Sequence, residues 1–279
     1  MTGCIRLTVL QVAVLLTAQA QAPPAPEMPR VRQGEVLRVN WNGDSTPSRL
    51  GWGTVSVPFF PNRGGEGWLA LLPVEARKKP GDYTAQVVDR RGRTLGSQSF
   101  TVLNGGFPEQ NIRVSRRMRS LRPLPGERET IQALIRRVSP ERYWQDPFVS
   151  PTRDCMNSLF GVRRLYNGKF TGNYHRGVDL RSPQVLPVHA TAAGIVRISK
   201  MYRLNGGTVG IDHGQGVVSI YIHMSRLIAK QGQKVLAGEV IGEVGSTGFA
   251  TGPHLHWGLY VAEVPVNPNQ WTGEVGQCE

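Results

Sequence analysis

Residues 254–261 read His-Leu-His-Trp-Gly-Leu-Tyr-Val, with apolar residues at every second position from Leu255 to Val261. This period of two is typical of a β-strand with one buried face. Side chains two residues apart on a strand point to the same side, so His254 and His256 are expected to project together while Leu255 packs inward. The stretch therefore predicts a β-rich fold that presents two imidazoles on one surface.

The sequence before this stretch continues the same pattern. Asn167-Gly168 and Asn205-Gly206-Gly207 are turn sequences that suit connections between strands. The chain as a whole contains 33 glycines and 20 prolines, which also favours short strands and many turns. Three further runs with strand character lie at residues 194–198, 208–211 and 217–222. We therefore expect a β-rich domain over residues 150–279.

A second group of alternating runs lies in the first half of the chain. Five of them fall between residues 34 and 103, at positions 36–39, 54–57, 68–72, 83–88 and 97–102. Short strands at this spacing predict a small antiparallel β-sandwich of about 70 residues. The predicted fold class is therefore mainly β, with a small N-terminal sandwich and a larger C-terminal domain.

The N-terminus has the composition of a secretory signal peptide over residues 1–22. Arg6 precedes an apolar run from Leu7 to Leu16, and small residues follow, with cleavage expected after Ala20 or Ala22. The alternative is the apolar first strand of a cytosolic protein. The run is too short to span a bilayer, and no later stretch is long enough, so no transmembrane segment is predicted. Export to the periplasm, cell wall or extracellular space is expected.

Residues 23–33 form a Pro-rich lead, and residues 104–149 form a basic connector between the two predicted domains. Arginines crowd the connector between residues 113 and 122, and a solvated surface is the simpler interpretation for any one of them. Apolar residues then recur with helical spacing, which predicts one amphipathic helix from Glu127 to Val138.

Two cysteines remain after removal of a signal peptide, Cys155 and Cys278. An oxidising compartment would allow them to pair, and two free thiols are the alternative. Neither is spaced with the histidines as a metal ligand would be.

All six histidines lie between residues 175 and 256. His175 precedes Asp179 by four residues, the His254–His256 pair follows, and His223 ends an apolar run. Two imidazoles and one carboxylate can hold zinc in a catalytic site and leave a fourth position open. Additional histidines can transfer protons or stabilise an oxyanion. Ordinary surface or core histidines are the alternative.

Residues 150–271 resemble the lysostaphin/LytM family of zinc peptidases. The motifs that carry the resemblance are Phe160-Gly-Val-Arg-Arg-Leu-Tyr-Asn-Gly168, His175-Arg-Gly-Val-Asp179, Gly206-Gly-Thr-Val-Gly-Ile-Asp-His-Gly214, Tyr221-Ile-His-Met-Ser225, Gly238-Glu-Val-Ile-Gly242 and Gly245-Ser-Thr-Gly-Phe-Ala-Thr-Gly-Pro-His-Leu-His256. Residues 34–103 more loosely resemble the immunoglobulin-like domain that precedes this peptidase in some exported members.

The resemblance implies a zinc endopeptidase that hydrolyses the peptide cross-links of bacterial peptidoglycan. It implies one zinc ion per chain, held by His175, Asp179 and His256. It also implies that His223 and His254 are catalytic residues outside the metal shell, and it leaves open which of them is the general base. Two further histidines, His189 and His213, are expected to have no catalytic role.

The formal charge of +13 falls only to +12 when a signal peptide carrying Arg6 is removed. A basic surface of this kind favours an anionic cell wall as a partner. Nucleic acid is not expected, because no recognition motif accompanies the arginines, and a monomer is the default. Two alternatives stay open: a non-catalytic LytM-like activator or wall-binding module, and a secreted peptidase that acts on Gly-rich proteins.

Overall fold

A computed structural model describes residues 27–182, 185–273 and 276–278. The predicted signal peptide, residues 1–22, lies outside these ranges. Strands dominate the described chain, as predicted, and no helix within it is both long and apolar enough to cross a membrane.

The strands are β1 (Arg30–Arg32), β2 (Val36–Trp41), β3 (Arg49–Trp52), β4 (Val55–Pro58), β5 (Phe60–Pro61), β6 (Trp68–Pro73), β7 (Gly81–Val88), β8 (Thr94–Leu103), β9 (Glu109–Ile112), β10 (Met156–Ser158), β11 (Arg163–Tyr166), β12 (Lys169–Tyr174), β13 (Val178–Arg181), β14 (Pro187–His189), β15 (Gly194–Met201), β16 (Gly207–Gly214), β17 (Val217–Met224), β18 (Arg226–Leu227), β19 (Lys234–Val235), β20 (Val240–Glu243), β21 (His254–Val261) and β22 (Val264–Val266). The helices are α1 (Arg116–Ser120), α2 (Glu127–Ile135) and α3 (Asn269–Thr272).

The N-terminal unit consists of two sheets that share one apolar core. One sheet has the order β1-β8-β7-β3-β4 and the other the order β2-β6-β5. Leu50, Leu72 and Phe100 are fully buried between them. The expectation of a purely antiparallel sandwich that starts at residue 34 is wrong in one respect. Strand β1 begins at Arg30 and runs parallel to β8, because Val31 adds to the core at that edge.

The C-terminal unit is built on a sheet in which β21 lies between β13 and β17. The strand order is β10-β13-β21-β17-β16-β15-β19, and β22 also pairs with β21. Leu255 and Trp257 of β21 are fully buried, and Tyr221 of β17 packs in the same core. The predicted alternation along residues 254–261 is therefore confirmed.

A smaller sheet of order β12-β11-β9 lies beside the main one. The turn between β11 and β12 is the predicted Asn167-Gly168 pair, with φ angles of 52° and 81°. A two-residue turn with positive φ at both positions matches the twist of an antiparallel hairpin, which explains the choice of Asn and Gly. Strand β9 belongs to the connector and runs parallel to β11.

The connector contains two helices in the described chain, whereas one was predicted. Helix α1 has only five residues, and its Ser115 cap accepts a hydrogen bond from the Met118 backbone N–H. It was missed because so short a helix has no apolar period. Helix α2 starts at Glu127 as predicted and ends at Ile135, before the exposed Val138. The buried Leu134 packs against β15 and β17, so the connector is part of the C-terminal unit's packing.

The two units are in direct contact. Val36 and Leu71 of the N-terminal sheets share an apolar cluster with Trp144, Leu259 and Trp271. A disulfide joins Cys155 to Cys278, which are 123 positions apart. Of the two alternatives left open by the sequence, the structure therefore has the bridged form.

Candidate metal centre and groove

Strand register brings the predicted metal residues together. Asp179 on β13 lies directly opposite His256 on β21. His175 lies just before β13 and reaches the same point. His256 also lies opposite Ile222 of β17, so the next residue, His223, is close to it. Three segments that are distant in sequence thus meet where β13, β21 and β17 lie side by side in the main sheet.

One nitrogen or oxygen from each of His175, Asp179 and His256 lies within 4.8 Å of the other two. The His175 Nε2 atom is 2.9 Å from Asp179 Oδ1 and 2.9 Å from His256 Nδ1. The His256 Nδ1 atom is 2.8 Å from the same Asp179 oxygen. These three atoms face a common point, which is the arrangement that a bound cation requires.

The protonation of His175 tests whether a metal fits this point. Its Nδ1 atom lies 2.7 Å from the Leu159 carbonyl oxygen and 3.2 Å from Ser158 Oγ. A carbonyl can only accept, so Nδ1 carries the proton and the neutral ring turns a lone pair at Nε2 toward Asp179 and His256. That lone pair and the carboxylate oxygen would repel each other without a positive charge between them. Two imidazoles and a carboxylate, oriented by such backbone contacts, fit a transition metal.

Burial and neighbouring groups keep His175 neutral and Asp179 ionised. Burial lowers the pKa of His175 to about 4, although the neighbouring Asp179 acts in the opposite direction. Burial alone would raise the pKa of the Asp179 carboxyl, but the proton-bearing forms of His175 and His256 stabilise the carboxylate and hold that pKa well below its usual range. At neutral pH the Nε2 lone pair of His175 and the carboxylate of Asp179 are therefore available to a metal.

Arg164 is a part of the centre that sequence reasoning missed. Its guanidinium donates a hydrogen bond to Asp179 Oδ2, so Oδ1 is left to face the two histidines. It also lies 3.3 Å from Ser158 Oγ, which in turn donates to Gln110 of β9. The only sequence signal was the Arg163-Arg164 pair within a motif that carries the family resemblance.

His223 and His254 form a second pair beside the metal residues, with ring centroids 4.8 Å apart. The Nδ1 atom of His223 lies 2.8 Å from the Thr247 carbonyl oxygen, and that of His254 lies 2.8 Å from the Gly252 carbonyl oxygen. Both rings therefore donate from Nδ1, which directs Nε2 away from the carbonyl. Burial, followed by the charges of His254 and His256, lowers the pKa of His223 to about 3.

An open groove of about 270 Å³ runs past Asp179, His223 and His254. One of its walls comes from the connector strand β9 and the residue that follows it, Arg113. The groove is lined by Gln110, Asn111, Ile112, Arg113, Asn157, Ser158, Arg164, Tyr166, Asp179, His223, Phe249, Thr251 and His254. Its two cations and its amide groups suit an extended polar chain.

The two remaining histidines lie away from this groove. His213 is fully buried on β16, 2.8 Å from the Ala193 carbonyl oxygen and 2.7 Å from Ser219 Oγ. His189 is half-buried on β14 near the Pro151 carbonyl oxygen. Neither is within the cluster formed by the other four.

Comparison with known proteins identifies the domain. Residues 173–268 match peptidase family M23. The chain carries a peptidase family M23 domain. The match contains both histidine pairs and Asp179, and it confirms the family resemblance of the C-terminal domain.

Two curated relatives of the M23 domain come from different bacteria. The peptidoglycan DD-endopeptidase ShyA of Vibrio cholerae is 38% identical over 112 residues, which are 40% of this chain and 26% of ShyA. The DD-carboxypeptidase/endopeptidase Mpg of Neisseria meningitidis is 42% identical over 113 residues, again 40% of this chain and 26% of the relative. The chain thus aligns with about a quarter of each relative's length.

One solved structure matches far more of the chain. A crystal structure described as a peptidase M23 from Pseudomonas aeruginosa has a TM-score of 0.66 and 29% identity. The match covers 86% of this chain and 94% of that one. The arrangement of a β-rich N-terminal unit before an M23 domain therefore also occurs in that protein.

The boundaries of the M23 match separate two kinds of site residue. The five predicted residues lie inside residues 173–268, whereas Arg164, Ser158 and the β9 wall lie outside that range. The preceding segments of this chain thus complete a groove whose histidines belong to the M23 domain.

Proposed function

We propose that this protein is a zinc-dependent endopeptidase that hydrolyses peptide cross-links in bacterial peptidoglycan. The observation that carries the proposal is the convergence of His175, Asp179 and His256 beside an open groove in an M23 domain. The relatives named as DD-endopeptidases support the substrate class. They also favour the D-Ala to diaminopimelate bond over a pentaglycine bridge.

In this proposal the three residues hold one zinc ion, which fits their donor set best among the common metals. Zinc bound there would lower the pKa of a water molecule and polarise the scissile carbonyl. Arg164 keeps the Asp179 carboxylate oriented by occupying its second oxygen. The Leu159 carbonyl fixes the His175 ring in the tautomer that ligation needs.

His223 and His254 are proposed as the catalytic pair. Amide hydrolysis needs a base that removes a proton from the nucleophile and an acid that delivers one to the leaving amine. The Nδ1 atom of each ring is bound to a backbone carbonyl, which leaves Nε2 as the atom that can exchange the proton. Either ring can take up the first proton and, once charged, stabilise the developing oxyanion. The ring that holds the proton can then return it to the leaving nitrogen.

The proposed domain organisation and location follow the sequence expectations. Residues 34–103 would be an immunoglobulin-like domain, with β1 (Arg30–Arg32) added at its edge, and two sheets with a common core support this. Export through residues 1–22 would place the protein in the periplasm, cell wall or extracellular space. The Cys155–Cys278 bridge supports this location, because such bonds persist in oxidising compartments. We propose that the protein acts there as a monomer.

The test is to incubate the mature protein with purified peptidoglycan and identify released fragments by mass spectrometry. Wild-type protein should release fragments with new peptide ends, a chelator should stop the release, and added zinc should restore it. Fragments ending in D-Ala beside free diaminopimelate amines would identify the D,D bond.

The outcomes of that digestion separate the proposal from its alternatives. No release from several wall types by zinc-loaded protein, together with cleavage of Gly-rich proteins, would favour the secreted peptidase. No release and no bound zinc would favour a binding module or an activator of other wall hydrolases. Either result would contradict the proposed function.

We also propose that the charge of about +12 holds the protein on anionic walls, largely through the arginine-rich residues 113–142. Exposed charges are screened strongly by salt. Co-sedimentation with isolated walls should therefore fall several-fold between 0.05 M and 0.5 M salt. Binding that is unaffected by 0.5 M salt would contradict the electrostatic interpretation.

A further inference from the structure

We propose that Glu127 of α2 is a positioning residue for His223, acting through the loop of residues 203–206. The inference rests on the proposed function, in which His223 is catalytic. It adds a residue from the connector, outside the matched M23 region, to the machinery of the groove.

Glu127 is only 1% exposed. It accepts hydrogen bonds from the backbone N–H groups of Asn205 at 2.9 Å, Leu204 at 3.1 Å and Leu124 at 3.0 Å. A buried carboxylate is costly unless such donors satisfy it. Two of the three donors belong to the loop, so the carboxylate holds that loop against the start of α2.

The loop in turn holds His223. The Asn205 carbonyl accepts the backbone N–H of His223 at 3.0 Å. The adjoining Leu204 carbonyl accepts the N–H of Phe249, a groove residue, at 2.7 Å. A shift of the loop would therefore move a groove residue as well as the catalytic ring.

A second connection runs through Thr247. Gly206 lies so close to it that a Cβ atom on Gly206 would come within 2.2 Å of Thr247 Oγ1. Thr247 also supplies the carbonyl that binds the Nδ1 atom of His223. The loop thus contacts the His223 backbone directly and supports the His223 imidazole ring through Thr247.

His223 needs this support because its backbone is in the left-handed region, with φ of 70°. A residue other than glycine is held there by its surroundings. Released from the Asn205 carbonyl, His223 would relax toward ordinary strand geometry and turn its Nε2 away from the groove. A merely structural role for Glu127 would instead lower stability without affecting His223 in particular.

The experiment compares zinc-loaded full-length wild-type protein with E127A and E127Q, and with E129A as a matched control. Glu129 lies on the same helix and is exposed. We expect E127A to lower kcat about ten- to hundred-fold with KM nearly unchanged, since small misplacements of a catalytic group have effects of this size. E127Q keeps one acceptor oxygen for the loop and should lie between wild type and E127A. E129A should match wild type.

A double-mutant cycle tests whether the effect of Glu127 on activity depends on His223. If Glu127 acts through His223, E127A should cause little further loss in an H223A background, because residues acting as one unit are non-additive. Equal losses in both backgrounds would overturn the proposal.

Hydrogen exchange gives a readout that does not depend on activity. In E127A the amides of His223 and Phe249 should exchange at least tenfold faster, while that of Asp179 should keep its wild-type rate. If wild-type protein cleaves no wall material, the proposed function fails, but hydrogen exchange still tests whether Glu127 positions His223. Unchanged exchange at His223, or equal acceleration throughout the domain, would overturn it.

Discussion

At the scale of single residues, Asp179 is the organising group of the site. Its Oδ1 atom faces His175 and His256, and its Oδ2 atom is bound by Arg164. The two oxygens therefore face different groups: Oδ1 faces the two histidines of the proposed metal site, and Oδ2 faces a fixed cation. This division explains how a single buried carboxylate can be both ionised and oriented.

The first prediction separates the proposed metal ligands from the proposed catalytic residues. His256→Ala or Asp179→Ala should abolish stoichiometric zinc binding and activity together. The proposed site has only three protein ligands, so each substitution leaves two. His223→Ala or His254→Ala should retain one zinc per chain while kcat falls about 10²–10⁴-fold. Zinc content by elemental analysis and steady-state kinetics on wall fragments check both expectations.

His189→Ala serves as the matched control, since His189 is outside the cluster, and it should keep both zinc and activity. Zinc loss in His223→Ala but not in His256→Ala would refute the assignment.

A second prediction concerns Arg164. Arg164→Ala should lower zinc affinity about 10–100-fold, because groups that orient a ligand have effects of this size. Arg163→Ala is the control: Arg163 is the adjacent residue, but it pairs with the exposed Glu109. Competition with a chromogenic chelator would measure both affinities, and equal affinities for the two variants would contradict the role given to Arg164.

At the scale of secondary-structure elements, the site depends on β21 lying between β13 and β17. This register places Asp179 opposite His256 and brings His223 beside it. Neighbouring strands lie about 5 Å apart, so their side chains on one face can share a ligand. The main sheet therefore positions residues that are up to 81 positions apart in sequence.

A pH prediction belongs to β16. Burial lowers the pKa of His213 from 6.5 to about 4. Between pH 6.5 and pH 4 the unfolded chain binds a proton at His213 and the folded protein does not. The free energy of unfolding is therefore unaffected by His213 above pH 6.5 and decreases as the pH falls from 6.5 toward 4. Between pH 7.5 and pH 5, the free energy of unfolding of metal-free wild-type protein should therefore fall by about 2 kcal/mol more than that of metal-free His213→Gln.

Urea unfolding of both proteins at the two pH values measures this difference. Using chelated protein for both removes the pH dependence of metal binding from the comparison. Equal losses would show that His213 takes no part in the pH dependence.

The elements differ in how far the sequence predicted them. The alternation along residues 254–261 and the Asn167-Gly168 turn follow local rules, and both were predicted. Helix α1 was not, because its stability depends on a cap rather than on an apolar period. Arg164 and Glu127 were missed as site residues because their contacts join distant segments. A charged residue in a sequence does not reveal that its carboxylate or guanidinium will be buried against another element.

At the scale of the whole molecule, the segments before the M23 match are packed against it. Strand β9 extends the groove wall, α2 packs on the main sheet, and the N-terminal sheets share an apolar cluster with Trp144 and Trp271. These contacts make the connector a structural part of the groove.

The Cys155–Cys278 bridge supplies a prediction at this scale. It spans 123 positions, and a loop of about that length corresponds to roughly 4–5 kcal/mol in the chain-entropy account of disulfides. Reduced and alkylated protein should therefore unfold at clearly lower urea concentration than oxidised protein. The expectation fails if the unreduced mature protein reacts with two equivalents of a thiol reagent, or if reduction leaves the urea midpoint unchanged.

The most direct test of the central claim is cleavage of one purified, cross-linked muropeptide dimer by this protein. Wild-type protein should convert the dimer to monomers, metal-stripped protein should not, and one equivalent of zinc should restore the rate. Stripped His256→Ala should stay inactive after the same addition. Conversion that is unaffected by metal removal, or no conversion by zinc-loaded wild type, would contradict the assignment of a zinc endopeptidase.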